Sequence, residues 1–224
     1  MQTNEKYFSE SSPKFSLSKY YQDHMVLQRG FKTSVWGKSS AVGDHVNLLL
    51  DGSVVATGIV GNDNVWQMVF KPPNNPGPHV LTASSSLGNV TINDVLFGDV
   101  WMCSGQSNME YMTLGLQNAT EEYKDAVNYP NIRLFKLDHA AAATPLQELT
   151  KVAQVWNKAS EGTIKFFSAV CWLYGKYLSQ HLNRPIGLVE SVMGDAPIRS
   201  WSSSDALLKC PTLTGKRYET INQR

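Results

Sequence analysis

The apolar pattern changes its period near residue 97, and that change restricts the chain to a two-part architecture. Upstream, short apolar runs are broken by turn residues every 8–12 positions. Val46, Leu48 and Leu50 alternate with other neighbours, Asp51-Gly52 supplies a tight hairpin turn, and "SVVATGIV" runs back. "VWQMVF" follows, then the break "KPPNNPGP", then "HVLTASS" and "NVTINDVLF". Many short strands without a helical period predict an antiparallel β-sandwich over 15–96.

Downstream the pattern differs. "DVWMC" is the short apolar run of a buried parallel strand, and "NIRLFKL" predicts a second. From Ser168 to Leu182 apolar residues recur at helical spacing, namely Val170, Leu173, Tyr174, Tyr177, Leu178 and Leu182, with Ser168 as N-cap. Pro185 stops that helix, and "IGLVESV" predicts a third strand. Strand, helix, strand, helix, strand predicts a doubly wound α/β layer over 97–210. Residues 1–14 form a polar N-terminal tail, and 211–224 an atypical tail with no strand of comparable strength.

Composition serves mainly to exclude. A formal charge of +1 leaves no electrostatic footprint for nucleic acid or an anionic membrane, and no apolar run is long enough to span a bilayer. The opening residues lack the apolar stretch of a secretory signal. Cys103, Cys171 and Cys210 are widely spaced and odd in number, which argues against a disulfide scaffold and against a zinc site. Asn89 and Asn118 head glycosylation sequons that matter only if the chain is secreted; roughly two such sequons are expected by chance.

"CSGQSNM" is the stretch with chemistry in it. An α/β sheet places its reacting groups where strands exit into helices. Gly105 permits the turn, and Ser107 then falls near a helix start, where backbone N–H groups and the helix dipole stabilise negative charge. Ser104 stays on the strand. The nucleophile elbow G-x-S-x-G is not met, because Met109 stands at the second glycine position. A bare G-x-S is equally a helix cap.

"FGDVWMCSGQSNM" resembles the nucleophile block of the sialate O-acetylesterases, within the SGNH/GDSL-like hydrolases. "DHMVLQR", "VWG", "SAVCWLYGKYL", "PIGLVES" and "PIRSW" agree with that family in order. The resemblance implies a three-layer SGNH-like, flavodoxin-like parallel sheet, incomplete at its C-terminus, behind the sandwich. It implies Ser107 as nucleophile and Gly194 as an oxyanion donor, with Gln106, Asn108 and Trp201 as substrate-binding candidates. An O-acetylated sialic acid is the implied substrate, a lysosomal or secreted protein the implied setting, and no metal or organic cofactor is needed. Asp195 replaces a family glycine, and its carboxylate would oppose an oxyanion unless Arg199 pairs with it.

A serine hydroxyl needs a general base, usually histidine. The family supplies it from an Asp-x-x-His block, and a further oxyanion contact from Gly-Glu-Ser-Asn. Neither occurs in this sequence. His24, His45 and His79 fall in the β half and His181 on the predicted helix. His139, in "KLDHAAAA", alone follows a strand's carboxyl end, and is read first as a loop residue and second as a substitute base. Removing the histidine of a serine hydrolase costs on the order of a millionfold in turnover, so the expectation is a very poor esterase. The rival is a non-catalytic carbohydrate-binding fragment using Trp36, Trp66 or Trp201 to stack on sugar rings, although core packing is the commoner use of tryptophan.

Overall fold

The computed structural model describes residues 14–209. The tails expected at 1–14 and 211–224, apart from Lys14, and Cys210 lie outside the described residues. The chain divides into two compact units, Met1–Phe97 and Gly98–Arg224.

The first unit holds β1 (Phe15–Leu17), β2 (Val26–Gln28), β3 (Thr33–Ser39), β4 (His45–Leu50), β5 (Ser53–Ile59), β6 (Val65–Phe70), β7 (His79–Ser85) and the first part of β8 (Gly88–Gly105). One antiparallel sheet runs β1-β3-β6; in the other, β7 lies between β8 and β4, and β5 pairs the far side of β4. Alternation decides which side chains go inside. Val46 and Leu48 are fully buried on β4, as are Val35 on β3 and Trp66 on β6. Asp51 (φ 50°) and Gly52 (φ 82°) both adopt positive φ, the geometry of the expected two-residue hairpin turn.

Two histidines here are structural. His79 is buried, with Nδ1 2.6 Å from Asp51 Oδ2 and Nε2 3.0 Å from the Asn75 carbonyl. His24 Nδ1 lies 2.7 Å from Asp94 Oδ2. Trp66 is enclosed and cannot stack on a sugar, which corrects that part of the carbohydrate-binding alternative.

The second unit is built on the last residues of β8 with β9 (Ile132–Leu137), β10 (Val152–Lys158) and β11 (Ile186–Val192). β11 pairs parallel with β8 on one side and with β9 on the other, and β10 adds an antiparallel edge to β9. The sequence pattern gave no warning of β10. The segments read as "NVTINDVLF" and "DVWMC" form one continuous strand of 18 residues. Gly98 sits inside it because a β-carbon there would come within 2.2 Å of the Pro185 carbonyl oxygen.

Among the described residues five α-helices accompany the strands: α1 (Ser107–Glu110), α2 (Ala119–Ala126), α3 (Glu161–Ile164), α4 (Ala169–Leu182) and α5 (Ser204–Leu208). Cys103, Ile132, Leu134, Ile186 and Leu188 from the strands share one core with Ala126, Ile164, Cys171 and Trp172 from the helices. α4 begins as expected, with Ser168 Oγ accepting from Cys171 N at 3.1 Å, and ends at Asn183, whose φ is 48°. Of the residues at helical spacing, Leu173 and Leu178 pack against the core, whereas Val170, Tyr174 and Tyr177 are exposed; the innermost positions are Cys171, Trp172 and Gly175. The helix is apolar on nearly every side, so periodicity alone could not select the inner face.

A buried ion cluster joins α2 to α4. Lys176 Nζ lies 2.9 Å from Glu122 Oε2 and 2.7 Å from Asp125 Oδ2, and Trp172 Nε1 donates to Glu122 Oε2 at 2.9 Å. Burial opposes the charge on Lys176, but Asp125 and Glu122 outweigh it and hold the ammonium above its ordinary pKa. The cysteines also require a correction. Cys103 on β8 and Cys171 on α4 form a disulfide, with Cα atoms 5.9 Å apart. The fold brings together two cysteines whose separation of 68 residues hid the pairing.

Candidate active site

Parallel register builds the site. Val192, the last residue of β11, is paired with Gly105, the last of β8, and Met193 N donates to the Gly105 carbonyl at 3.0 Å. Ser107 and Gly194 each lie two residues beyond that final pair, so the two strands deliver them side by side. A β-carbon placed on Gly194 would sit 3.7 Å from Ser107 Oγ. Gly105 makes the exit turn with φ 150°, a conformation L side chains rarely adopt.

Ser107 is exposed and is the first residue of α1. Its N–H, at the first helical position, has no intrahelical acceptor. The helix is a single turn, however, with Met109 N and Glu110 N both donating to the Gln106 carbonyl. The expected dipole contribution is therefore small, and individual N–H groups must serve instead. Ser104 is exposed on the strand.

Glu110, which sequence reasoning missed, stands at the centre of the site. Gly194 N donates to Glu110 Oε2 at 2.6 Å, and His139 Nε2 lies 2.7 Å from Glu110 Oε1. His139 is thus a loop residue, as first read, but one bonded to the carboxylate three residues after the serine. Among the described residues no imidazole is hydrogen-bonded to Ser107. The available signal was the i, i+3 spacing of Ser107 and Glu110, which places both on one face of a turn.

Beneath this lies a second buried carboxylate. Glu190 on β11 is fully buried, accepts from Ser168 N at 2.7 Å, and has Lys136 Nζ 2.8 Å from its other oxygen. Burial raises the Glu190 carboxyl above its ordinary pKa; Lys136 and the Ser168 N–H pull the other way without cancelling it, and the charge of Glu110 adds to the rise. Ser168 Oγ in turn donates to Met109 Sδ at 3.5 Å, so Glu190 and Ser168 together tie α1 to the start of α4.

The other expected residues fall as follows. Gln106 and Asn108 flank Ser107 and are exposed, and Trp201 is 38% exposed in the 3₁₀ turn Ile198–Trp201. Asp195 adopts φ 59°, the strained conformation that makes glycine the usual residue there. No ion pair joins Asp195 to Arg199, so the expected compensation is absent and both side chains face solvent. Trp36 Nε1 donates to Tyr20 OH at 3.0 Å. Asn89 and Asn118 are exposed. Among the described residues no group of three or more His, Cys, Asp or Glu is placed to hold a metal ion.

Comparison with known proteins agrees with the sequence blocks. The chain is 38% identical over 210 residues to sialate O-acetylesterase of Rattus norvegicus, covering 88% of this chain and 39% of that protein. It is 35% identical over 223 residues to sialate O-acetylesterase of Mus musculus, covering 93% and 41%. Among solved structures it is similar to a carbohydrate acetylesterase from Xanthomonas citri, with a TM-score of 0.81 and 29% identity over 86% of this chain and 43% of that one. No protein-family model matches. The chain therefore resembles sialate O-acetylesterases along most of its length and shares the α/β fold of a carbohydrate acetylesterase. It spans about 40% of the length of these curated relatives.

Proposed function

We propose that this chain carries the nucleophile half of a carbohydrate O-acetylesterase site, with an O-acetylated sialic acid as substrate. The observation that carries this reading is the placement of Ser107 Oγ beside Gly194 at the ends of two paired parallel strands. Ser107 Oγ attacks the acetyl carbonyl carbon, and the carbonyl oxygen becomes an oxyanion that needs donors such as Gly194 N–H and Ser107 N–H. Collapse of that intermediate releases the sugar alcohol and leaves acetyl-Ser107, which water then hydrolyses to acetate. Gln106, Asn108 and Trp201 supply the exposed contacts for the sugar. The Cys103–Cys171 disulfide supports passage through an oxidising compartment, in keeping with a lysosomal or secreted setting.

The hydroxyl proton still needs an acceptor: among the described residues no imidazole is hydrogen-bonded to Ser107, and His139 turns its Nε2 to Glu110. The 224-residue chain alone is therefore expected to hydrolyse an aryl acetate no faster than its Ser107→Ala variant. Added imidazole should instead produce a single acetyl group on the Ser107 peptide, read by mass spectrometry. Acetylation elsewhere, or none, would remove Ser107 from the nucleophile role. Ser107-dependent turnover without imidazole would show that the acceptor lies within these residues.

A further inference from the structure

The backbone N–H that an oxyanion requires is already in use. Glu110 Oε2 sits 2.6 Å from Gly194 N, the short distance of a charge-assisted bond, while His139 holds the other carboxylate oxygen at 2.7 Å. An oxyanion must approach its donors to about 2.7–3.1 Å, and one N–H does not serve two anions at full strength. A carboxylate is also the chemical class of the product that acetyl transfer to water releases. Glu110 thus fills, from within the chain, the position where an acetate oxygen or the reacting oxyanion would be received.

We propose that Gly194 N–H and the His139 ring form a carboxylate-binding site whose resident occupant is Glu110, so that a small carboxylate of the acetate class binds only when Glu110 swings out. The proposal rests on reading Gly194 as the oxyanion donor. One feature makes the exchange physically accessible. The Glu110 side chain is 22% exposed and stands on a one-turn helix, so an outward rotamer reaches water without unfolding the core. The buried Glu190, paired with Lys136 at 2.8 Å, and the exposed Asp195 act on Glu110 and on an incoming carboxylate alike, so they leave the exchange to the Glu110 rotamer.

The test is a sodium acetate titration of the whole chain, with sodium chloride as the ionic-strength control, followed by the NMR position of the Gly194 amide. Apparent affinity falls in proportion to the fraction of molecules whose site is open. If Glu110 closes the site about nine-tenths of the time or more, Glu110→Ala binds acetate at least about tenfold more tightly than wild type. The isosteric Glu110→Gln, which keeps the shape but loses the charge, should shift affinity in the same direction by a smaller factor, and it carries the test if the alanine variant does not fold. Equal or weaker acetate binding in a folded Glu110 variant overturns the proposal. A merely structural Glu110 would give that result, since its loss could only loosen the turn. Acetate binding is read at the Gly194 amide and acetylation at the Ser107 peptide, so a failure of the nucleophile assignment is separable from a failure of this one.

Discussion

The disulfide offers a large effect to measure, with two independent ways of removing the same bond. Cys103 and Cys171 close a loop with a sequence separation of 68 residues. The chain-entropy relation for a loop of that length gives about 4 kcal/mol of stabilisation. Both sulfurs are buried, so a single Cys171→Ala exchange adds a small packing loss to that figure. With a urea dependence of about 2 kcal/mol per molar, the unfolding midpoint should fall by about 2 M. The assay is urea denaturation followed by tryptophan fluorescence, run on wild type and Cys171→Ala with and without reductant. Reductant should lower the wild type to nearly the level of the variant and leave the variant where it was. Cys103→Ala should cost as much as Cys171→Ala, and the double variant little more than either, because all three remove the same bond. A shift below about 1 kcal/mol would refute the reasoning, since it lies far under the loop-closure value. So would three titratable thiols in the unreduced, denatured protein.

The ion cluster and the helix packing yield the remaining predictions. Lys176→Met leaves the Glu122 carboxylate buried with neutral donors alone, the Trp172 indole and, at 3.5 Å, the Asn118 amide, and should cost about 3–5 kcal/mol in urea denaturation. Lys176, then Asn128, hold the Asp125 carboxyl below its ordinary pKa. A lowered carboxylate contributes stability that is present above its unfolded pKa and is lost as pH falls through the folded value; the acid limb of stability against pH should therefore be shallower in Lys176→Met. At Gly175 a β-carbon would meet Leu188 Cδ1 at 2.6 Å, so Gly175→Ala should push α4 off β11 and cost about 1–3 kcal/mol, despite alanine's better helix propensity.

Local signals were legible where one short segment carried the whole instruction. Asp51-Gly52 specified its hairpin turn, Ser168 its helix start, and Pro185 closely followed the helix end. Ser107 could be singled out because an exit turn after an apolar strand is itself a local pattern, and it does fall at the start of α1. What escaped depended on partners distant in the chain. Glu110 meets Gly194 across 84 residues, and no periodicity encodes that contact. β10 escaped because an edge strand is half exposed and its apolar content is diluted by Gln154, Asn157 and Lys158. The inner face of α4 was not legible for the opposite reason, an excess of apolar residues that made both sides look suitable for burial. The odd count of cysteines spoke only against a disulfide scaffold; the pairing of Cys103 with Cys171 stayed open until the fold brought them together.

The missing side chain of Gly98 has a consequence for the far end of its strand. It allows the Pro185 carbonyl to close in until Asp99 N donates to it at 3.0 Å, one step before the first rung of the β8–β11 ladder. From there seven rungs count off to Gly105 and Val192. A slip of one rung would displace Ser107 from Gly194 by about 3.3 Å and turn each side chain to the wrong side, which no rotamer could undo. The alignment of Ser107 with Gly194 is thus zeroed at a point remote from both, by the one residue small enough to let two backbones touch.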